Sequence, residues 1–166
     1  MQEVSVELVG RDPMTERDLF LLEVPHVEAL PAEFGLPSRH FVCLLAWDSV
    51  TTPVDVIRKV AETVLGQGAV SVIAWGPGCE RVHDIFDGTI AWQDVSAGLD
   101  AEDKPVIMTT WHADEPLEAA LYDFLCLPSV AEDFEPDCRV QLAISTGCAE
   151  WTRQIRTALS DPRAFR

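Results

Sequence analysis

The sequence predicts an α/β protein. The expected core is a mainly parallel sheet of four to six strands with helices on both faces, Rossmann- or flavodoxin-like in its three layers, preceded by an N-terminal strand or hairpin cap. Three observations lead there. From residue 40 onward, four short apolar runs alternate with four segments of helical periodicity, the pattern of successive strand–helix units. The runs are nearly continuous in apolar residues rather than alternating, as expected of strands covered on both faces. Between each run and its helix stands a turn bearing Gly, Pro, Thr or Asp, residues that punctuate regular structure. All 166 residues read as one domain, large enough to bury a core of its own. Residues 1–39 supply cap or edge strands and residues 40–166 the four units.

In chain order, Val4, Val6 and Leu8 alternate with Ser5 and Glu7, a half-buried strand pattern. Arg11-Asp12-Pro13 marks a turn, and Asp18 to Val24 reads as a strand or a short helix. Pro25, Pro31 and Pro37 then punctuate an irregular connection. His40 to Trp47 is the first core strand, with Cys43 acting as a small hydrophobe inside it. Thr52 suits an N-cap and Pro53 the first position of a helix reaching about Leu65. Val56, Ile57, Val60 and Val64 form its inward stripe. Ala69 to Trp75 is the second core strand, and Gly76-Pro77-Gly78 ends it.

The helix that begins near Cys79 places Val82, Ile85 and Phe86 on one stripe and is expected to stop at Gly88. Thr89 to Trp92 suggests a short edge strand, and Gln93 to Lys104, with Asp94, Asp100, Glu102 and Asp103, a solvated loop. Pro105 to Trp111 is the third core strand. His112 to Pro116 leads into a helix whose apolar face is Leu117, Ala120, Leu121, Phe124 and Leu125. After an acidic loop, Arg139 to Ser145 is the fourth strand. Thr146 to Trp151 opens a last helix with Ile155 and Leu159 inward and Pro162 at its close.

Composition excludes whole classes of partner. Twelve Lys and Arg against 28 Asp and Glu give a net charge of −16. Phosphate backbones and anionic membrane surfaces both need a basic face, so neither nucleic acid nor membrane is an expected partner. The expected partner is a small molecule or another protein, with a basic protein the sharper case and oligomeric state left open. Met1-Gln2-Glu3 offers neither a basic start nor an apolar core, so no signal peptide is expected and the expected location is cytoplasmic. Five widely spaced cysteines, Cys43, Cys79, Cys126, Cys138 and Cys148, with no CxxC pair, read as thiols of a reducing compartment.

In a parallel sheet of this kind every strand-to-helix turn opens on one edge, where ligands bind. Three core strands end in a tryptophan, Trp47, Trp75 and Trp111, and Trp151 falls in the first turn of the last helix. The candidate ligand-binding residues on that edge are Trp75, Gly76, Gly78, Glu80, Trp111, His112, Cys148 and Glu150. The candidate catalytic pair is Cys79 and His83. A helix N-terminus can lower a thiol pKa, and a histidine four residues on shares its face. Against this, each cysteine alone reads as a small packing residue, and Glu80, Asp84 and Asp87 disfavour a thiolate. Cys79 and His83 also have ligand spacing on a helix, with Cys148, His112 and Asp84 on neighbouring elements. A solvent-facing or hydrogen-bonded His83 is the simpler reading, and no metal site is assigned. Gly76-x-Gly78 is no dinucleotide motif and no phosphate-loop sequence is present, so no cofactor is named.

The segments WGPGCERVHDIFD and MTTWHADEPLEAALYDFL resemble those of an uncharacterised family of small bacterial α/β proteins of unknown function. The resemblance spans the part after residue 40 and implies no activity. The leading expectation is a small-molecule- or protein-binding domain with its site at the C-terminal edge of the parallel strands. The alternatives are a cysteine- or metal-dependent hydrolase or transferase using Cys79 and His83, and an acidic interaction or inhibitor protein that binds a basic partner.

Overall fold

The computed structural model describes residues 4–99 and 104–165. Among them, six strands form one mixed, mostly parallel sheet accompanied by four α-helices. The elements are β1 (Val6–Arg11), β2 (Asp18–Val24), β3 (His40–Ala46), α1 (Val54–Gly66), β4 (Ala69–Trp75), α2 (Cys79–Ser96), β5 (Met108–His112), α3 (Leu117–Cys126), β6 (Cys138–Thr146) and α4 (Ala149–Ser160). The strand order is β1-β2-β6-β3-β4-β5. All neighbours run parallel except β1, which pairs antiparallel with β2. The N-terminal hairpin therefore extends the sheet, and Asp18–Val24 is a strand, not a helix.

Alternation along each strand sends successive side chains to opposite faces. Phe41, Cys43 and Leu45 of β3 and Val140, Leu142 and Ile144 of β6 join Ile57, Val60, Val64 of α1 and Val82 and Phe86 of α2 in one buried cluster. Val42, Leu44 and Ala46 join Leu117, Ala120, Leu121, Phe124 and Leu125 of α3 and Ile155, Ala158 and Leu159 of α4 in the other. Burying a side chain the size of Leu or Phe contributes roughly 1.5–3 kcal/mol, so these clusters supply most of the drive to fold.

Arg17 and Gln141 are among the polar side chains drawn into this interior. Arg17, at the start of β2, is buried. Its Nε donates to the Cys138 carbonyl at 3.0 Å and its terminal nitrogen to both Glu135 carboxylate oxygens at 3.1 and 2.9 Å, which ties the hairpin to the start of β6. Gln141 of β6 donates from Nε2 to the Phe124 carbonyl at 2.6 Å, while its buried Oε1 has no hydrogen-bond partner.

Several expectations need correction. Gly88 does not stop α2, and Thr89–Trp92 is not an edge strand; both lie inside an 18-residue helix. A single glycine costs only about 1 kcal/mol in a helix interior. Thr89 is buried and donates its hydroxyl to the Ile85 carbonyl at 2.7 Å, holding the helix through this point. The chain leaves the helix at Ala97-Gly98, where Gly98 takes a positive φ of 69° and its N–H meets the Val95 carbonyl. Gln93–Ser96 is thus helical, while Asp100, Glu102 and Asp103 lie outside the described residues, as does Met1–Glu3. The third predicted core strand is shorter and sits at the sheet's outer edge, pairing only with β4. Its first residue, Pro105, has no N–H to give a ladder. Pro53, not Thr52, holds the N-cap position of α1. Among the described residues no helix is long and apolar enough to cross a membrane.

Candidate functional site

The site is set by the turn between β4 and α2. Gly76 has φ 113° and Gly78 φ 81°, a region L side chains rarely adopt. Space reinforces the requirement. A Cβ on Gly76 would sit 2.2 Å from the Trp47 carbonyl oxygen, and one on Gly78 2.6 Å from Ser49 Oγ. The turn is stitched to the loop after β3. The Trp47 N–H donates to the Trp75 carbonyl at 3.0 Å, the Ser49 N–H to Pro77 at 2.9 Å, and Ser49 Oγ to Gly78 at 3.1 Å. Arg81, one turn into α2, donates to the carbonyls of Ser49 and Thr52 from the same side. The two glycines thus let one turn nest against its neighbour and fix where α2 begins.

Beside this turn lies an open groove of about 520 Å³, walled by Trp75–Glu80, by His112–Glu115 and by Trp151 of α4. Trp75 and Trp151 stand edge to face, ring centroids 5.0 Å apart and planes at 83°. Trp75 Nε1 donates to the Glu115 carbonyl at 2.8 Å, so one indole edge is anchored while the ring stays partly exposed.

His112, at the end of β5, is clamped from both sides. Nδ1 meets the Glu115 carboxylate and Nε2 meets Asp123 Oδ2 at 2.9 Å, with the Thr110 hydroxyl donating to the same oxygen. Burial of the ring works against protonation, but the two carboxylates together outweigh it and raise the pKa above the ordinary value. Both ring nitrogens are engaged by carboxylates, so neither faces the groove free to act as a base or a metal ligand. Cys79 is 2 % exposed. Its sulfur meets the backbone N–H groups of His112, Cys79 and Glu80, which favour a thiolate. Burial is the larger influence, Glu80 adds to it, and the thiol pKa is raised.

The other predicted residues go elsewhere. His83 does not line the groove. Its ring lies 4.3 Å from that of Trp111, and its nitrogens face Asp84 at 3.2 Å and Asp87 at 3.4 Å. Trp111 is exposed beside it on the outer strand. Cys148 is at the N-cap of α4, and Glu150 in its first turn pairs with Arg153. Cys148 lines a second, smaller groove of about 310 Å³ with Pro25, His26, Glu28, Trp47, Asp48 and Thr146. That groove occupies the place where the sheet changes its direction of growth, since β4 and β5 extend one way from β3 while β6 lies on the other side. This is the point at which open α/β sheets usually take ligands. Trp151 borders both grooves. Trp151 lies outside the candidate residues that the sequence suggests, as do Asp114 and Glu115. Its position one turn after a strand end was the available signal. All five cysteines are free, and burial raises Cys43 to about 12 and Cys138 to about 11. Among the described residues no group of three or more His, Cys, Asp and Glu is arranged to hold a metal ion.

No curated protein matches the sequence. Residues 19–162 match the model of a protein family described as a domain of unknown function, DUF7684, in keeping with the resemblance to an uncharacterised family. The match takes in β2 through α4 and both grooves, and the chain belongs to the DUF7684 family.

Proposed function

We propose that this chain is a single binding domain of Rossmann-like, three-layer build that works in the cytoplasm, and that its site is the groove between Trp75 and Trp151. The observation that carries the reading is convergence. Turns after β4 and β5 and the first turn of α4 meet on one open groove at the carboxyl edge of the strands, with both indoles partly exposed. A volume near 520 Å³ suits a small molecule or a side chain of a protein partner, within the roughly 300–1,000 Å³ of ordinary ligand pockets. The net charge of −16 supports a small-molecule or protein partner over nucleic acid or an anionic membrane.

The test is a fragment screen on the whole chain read by the indole N–H signals, assigned with the variants Trp75→Phe and Trp151→Phe. Fragments that shift these two signals together and saturate are expected. A screen that moves neither, or moves only those of Trp47 or Trp92, overturns the assignment.

The cysteine-dependent hydrolase or transferase keeps one supporting feature, the three N–H groups around the Cys79 sulfur. It also requires a thiol that is now buried to open, and a base other than His83, whose ring is engaged with Trp111. The binding reading asks for neither.

A further inference from the structure

We infer that the groove beside Trp75 and Trp151 takes an organic cation, a protonated amine, a quaternary ammonium or a guanidinium, seated against the indoles and neutralised by Glu80 and Asp114. The inference rests on the groove being the binding site.

The usual ligand at such an edge is an anion, because helix N-termini present free N–H groups and positive dipole ends. Here each α-helix carries its own carboxylate in the first turn: Asp55 in α1, Glu80 in α2, Glu118 in α3 and Glu150 in α4. The dipole ends are answered from within the chain. The groove itself is lined by Glu80, Asp114 and Glu115 and by no Lys or Arg. His112, the lining residue able to carry positive charge, is held between Glu115 and Asp123. Glu80 and Asp114 remain, exposed and with no ion pair among the described residues. A phosphate or carboxylate entering here would meet two uncompensated negative charges and no partner.

The aromatic lining points the same way by a different physics. Indole faces carry negative electrostatic potential and attract cations set over the ring. The edge-to-face contact of Trp75 with Trp151 at 5.0 Å sets two rings nearly at right angles in the lining of the groove that Glu80 and Asp114 also line. An alkylammonium or guanidinium satisfies both features at once, its apolar stem against the indoles and its charge toward the carboxylates. A neutral aromatic ligand would use only the rings.

The test is titration of the whole chain, followed by the Trp75 and Trp151 indole signals. The probes are butyltrimethylammonium and agmatine as free cations, a short end-capped peptide whose single charge is one lysine as a side-chain source, and butyrate and inorganic phosphate as anions. Cations are expected to shift both indoles. Their affinity should fall roughly tenfold in a Glu80→Gln, Asp114→Asn double variant, the size of one charge-assisted contact, and should weaken with added salt. Both residues are exposed, so the isosteric changes leave the fold intact, and the salt dependence reads the same charges without any substitution. Tighter binding of the peptide identifies a protein side chain as the source, and tighter binding of the free cations a small molecule; both support the class. Anions or neutral fragments that move the indoles while cations do not overturn the cation assignment and leave the groove as a site. Cation affinity unchanged in the double variant overturns it as well. Silence of both indoles toward every probe and fragment defeats the groove itself.

Discussion

Replacing Gly76 by alanine should damage the fold far more than one methyl group suggests. The new Cβ would lie 2.2 Å from the Trp47 carbonyl oxygen, 2.9 Å from its carbon and 3.3 Å from its nitrogen. These are backbone atoms and cannot rotate away. The residue would also hold φ at 113°, a strained region costing about 1–3 kcal/mol for a side chain. Forcing apart two strand ends joined by the Trp47 N–H to Trp75 carbonyl bond adds about 1–3 kcal/mol of overpacking. The stiffer unfolded chain returns about 0.4–1 kcal/mol. The net expectation is a loss of roughly 1–5 kcal/mol, a large share of the ~5–15 kcal/mol that holds a typical domain together. Gly88→Ala is the matched control. Gly88 lies within α2 with nothing within 4 Å of a built Cβ, so alanine there should stabilise by roughly 0.5–1 kcal/mol. Urea unfolding of both variants beside the parent measures the two shifts in midpoint at constant slope. A Gly76→Ala loss under about 1 kcal/mol would refute the argument that the turn is held against Trp47.

His112 should make stability fall with rising pH. Its folded pKa is raised, so its contribution is complete below the unfolded value of about 6.5 and is lost as pH climbs through the folded one. Urea midpoints on either side of neutrality should drop with pH in the parent and drop less in His112→Gln; equal slopes would sink the idea. Gln141→Met should alter stability by less than about 1 kcal/mol in either direction. It removes one hydrogen bond, to Phe124, together with a buried carbonyl oxygen that has no partner, and the two effects oppose each other. A loss above about 2 kcal/mol would show that Oε1 is satisfied after all. Alkylation near neutral pH should label the part-exposed Cys126 and Cys148 first. Cys79 should react more slowly, and Cys43 and Cys138, buried and raised to about 12 and about 11, last. Cys79 reacting ahead of Cys148 would revive the nucleophile.

The sequence made the local patterns legible. All five residues of the expected apolar face of α3 are buried, because helical spacing is a property of neighbours in the chain. The two glycines of the Trp75–Cys79 turn were equally plain, since few conformations accept Gly-Pro-Gly. The extent of α2 was not. Thr-Ile-Ala-Trp fits a strand or a helix alike, and only the burial of Thr89 decides between them. Cys79 and His83 do share a helix, as their spacing requires, yet their partners belong to other elements. Cys79 abuts the backbone of His112, while Trp111 of the outer strand meets the His83 ring. Such pairings depend on strand order, which local periodicity does not encode. The same is true of the clamp on His112. Glu115 is three residues away, but Asp123 arrives from within α3.

β6 follows every other strand in the chain, yet it lies between β2 and β3. Its pairings, Asp18 with Val140 and Phe41 with Val140, close long stretches of sequence. Until it docks, the β1–β2 hairpin has no sheet to join, and β3 exposes an open edge made of HFVCLLA, an apolar template for other chains. Loop-closure entropy makes such contacts slow to form. Assembly is therefore expected to occur in two stages. The block from β3 to β5 gathers locally, and insertion of β6 then joins it to the hairpin and makes the whole sheet cooperative. Weakening β6 should slow folding and promote aggregation together, whereas weakening β5, at the outer margin, should do neither to the same degree.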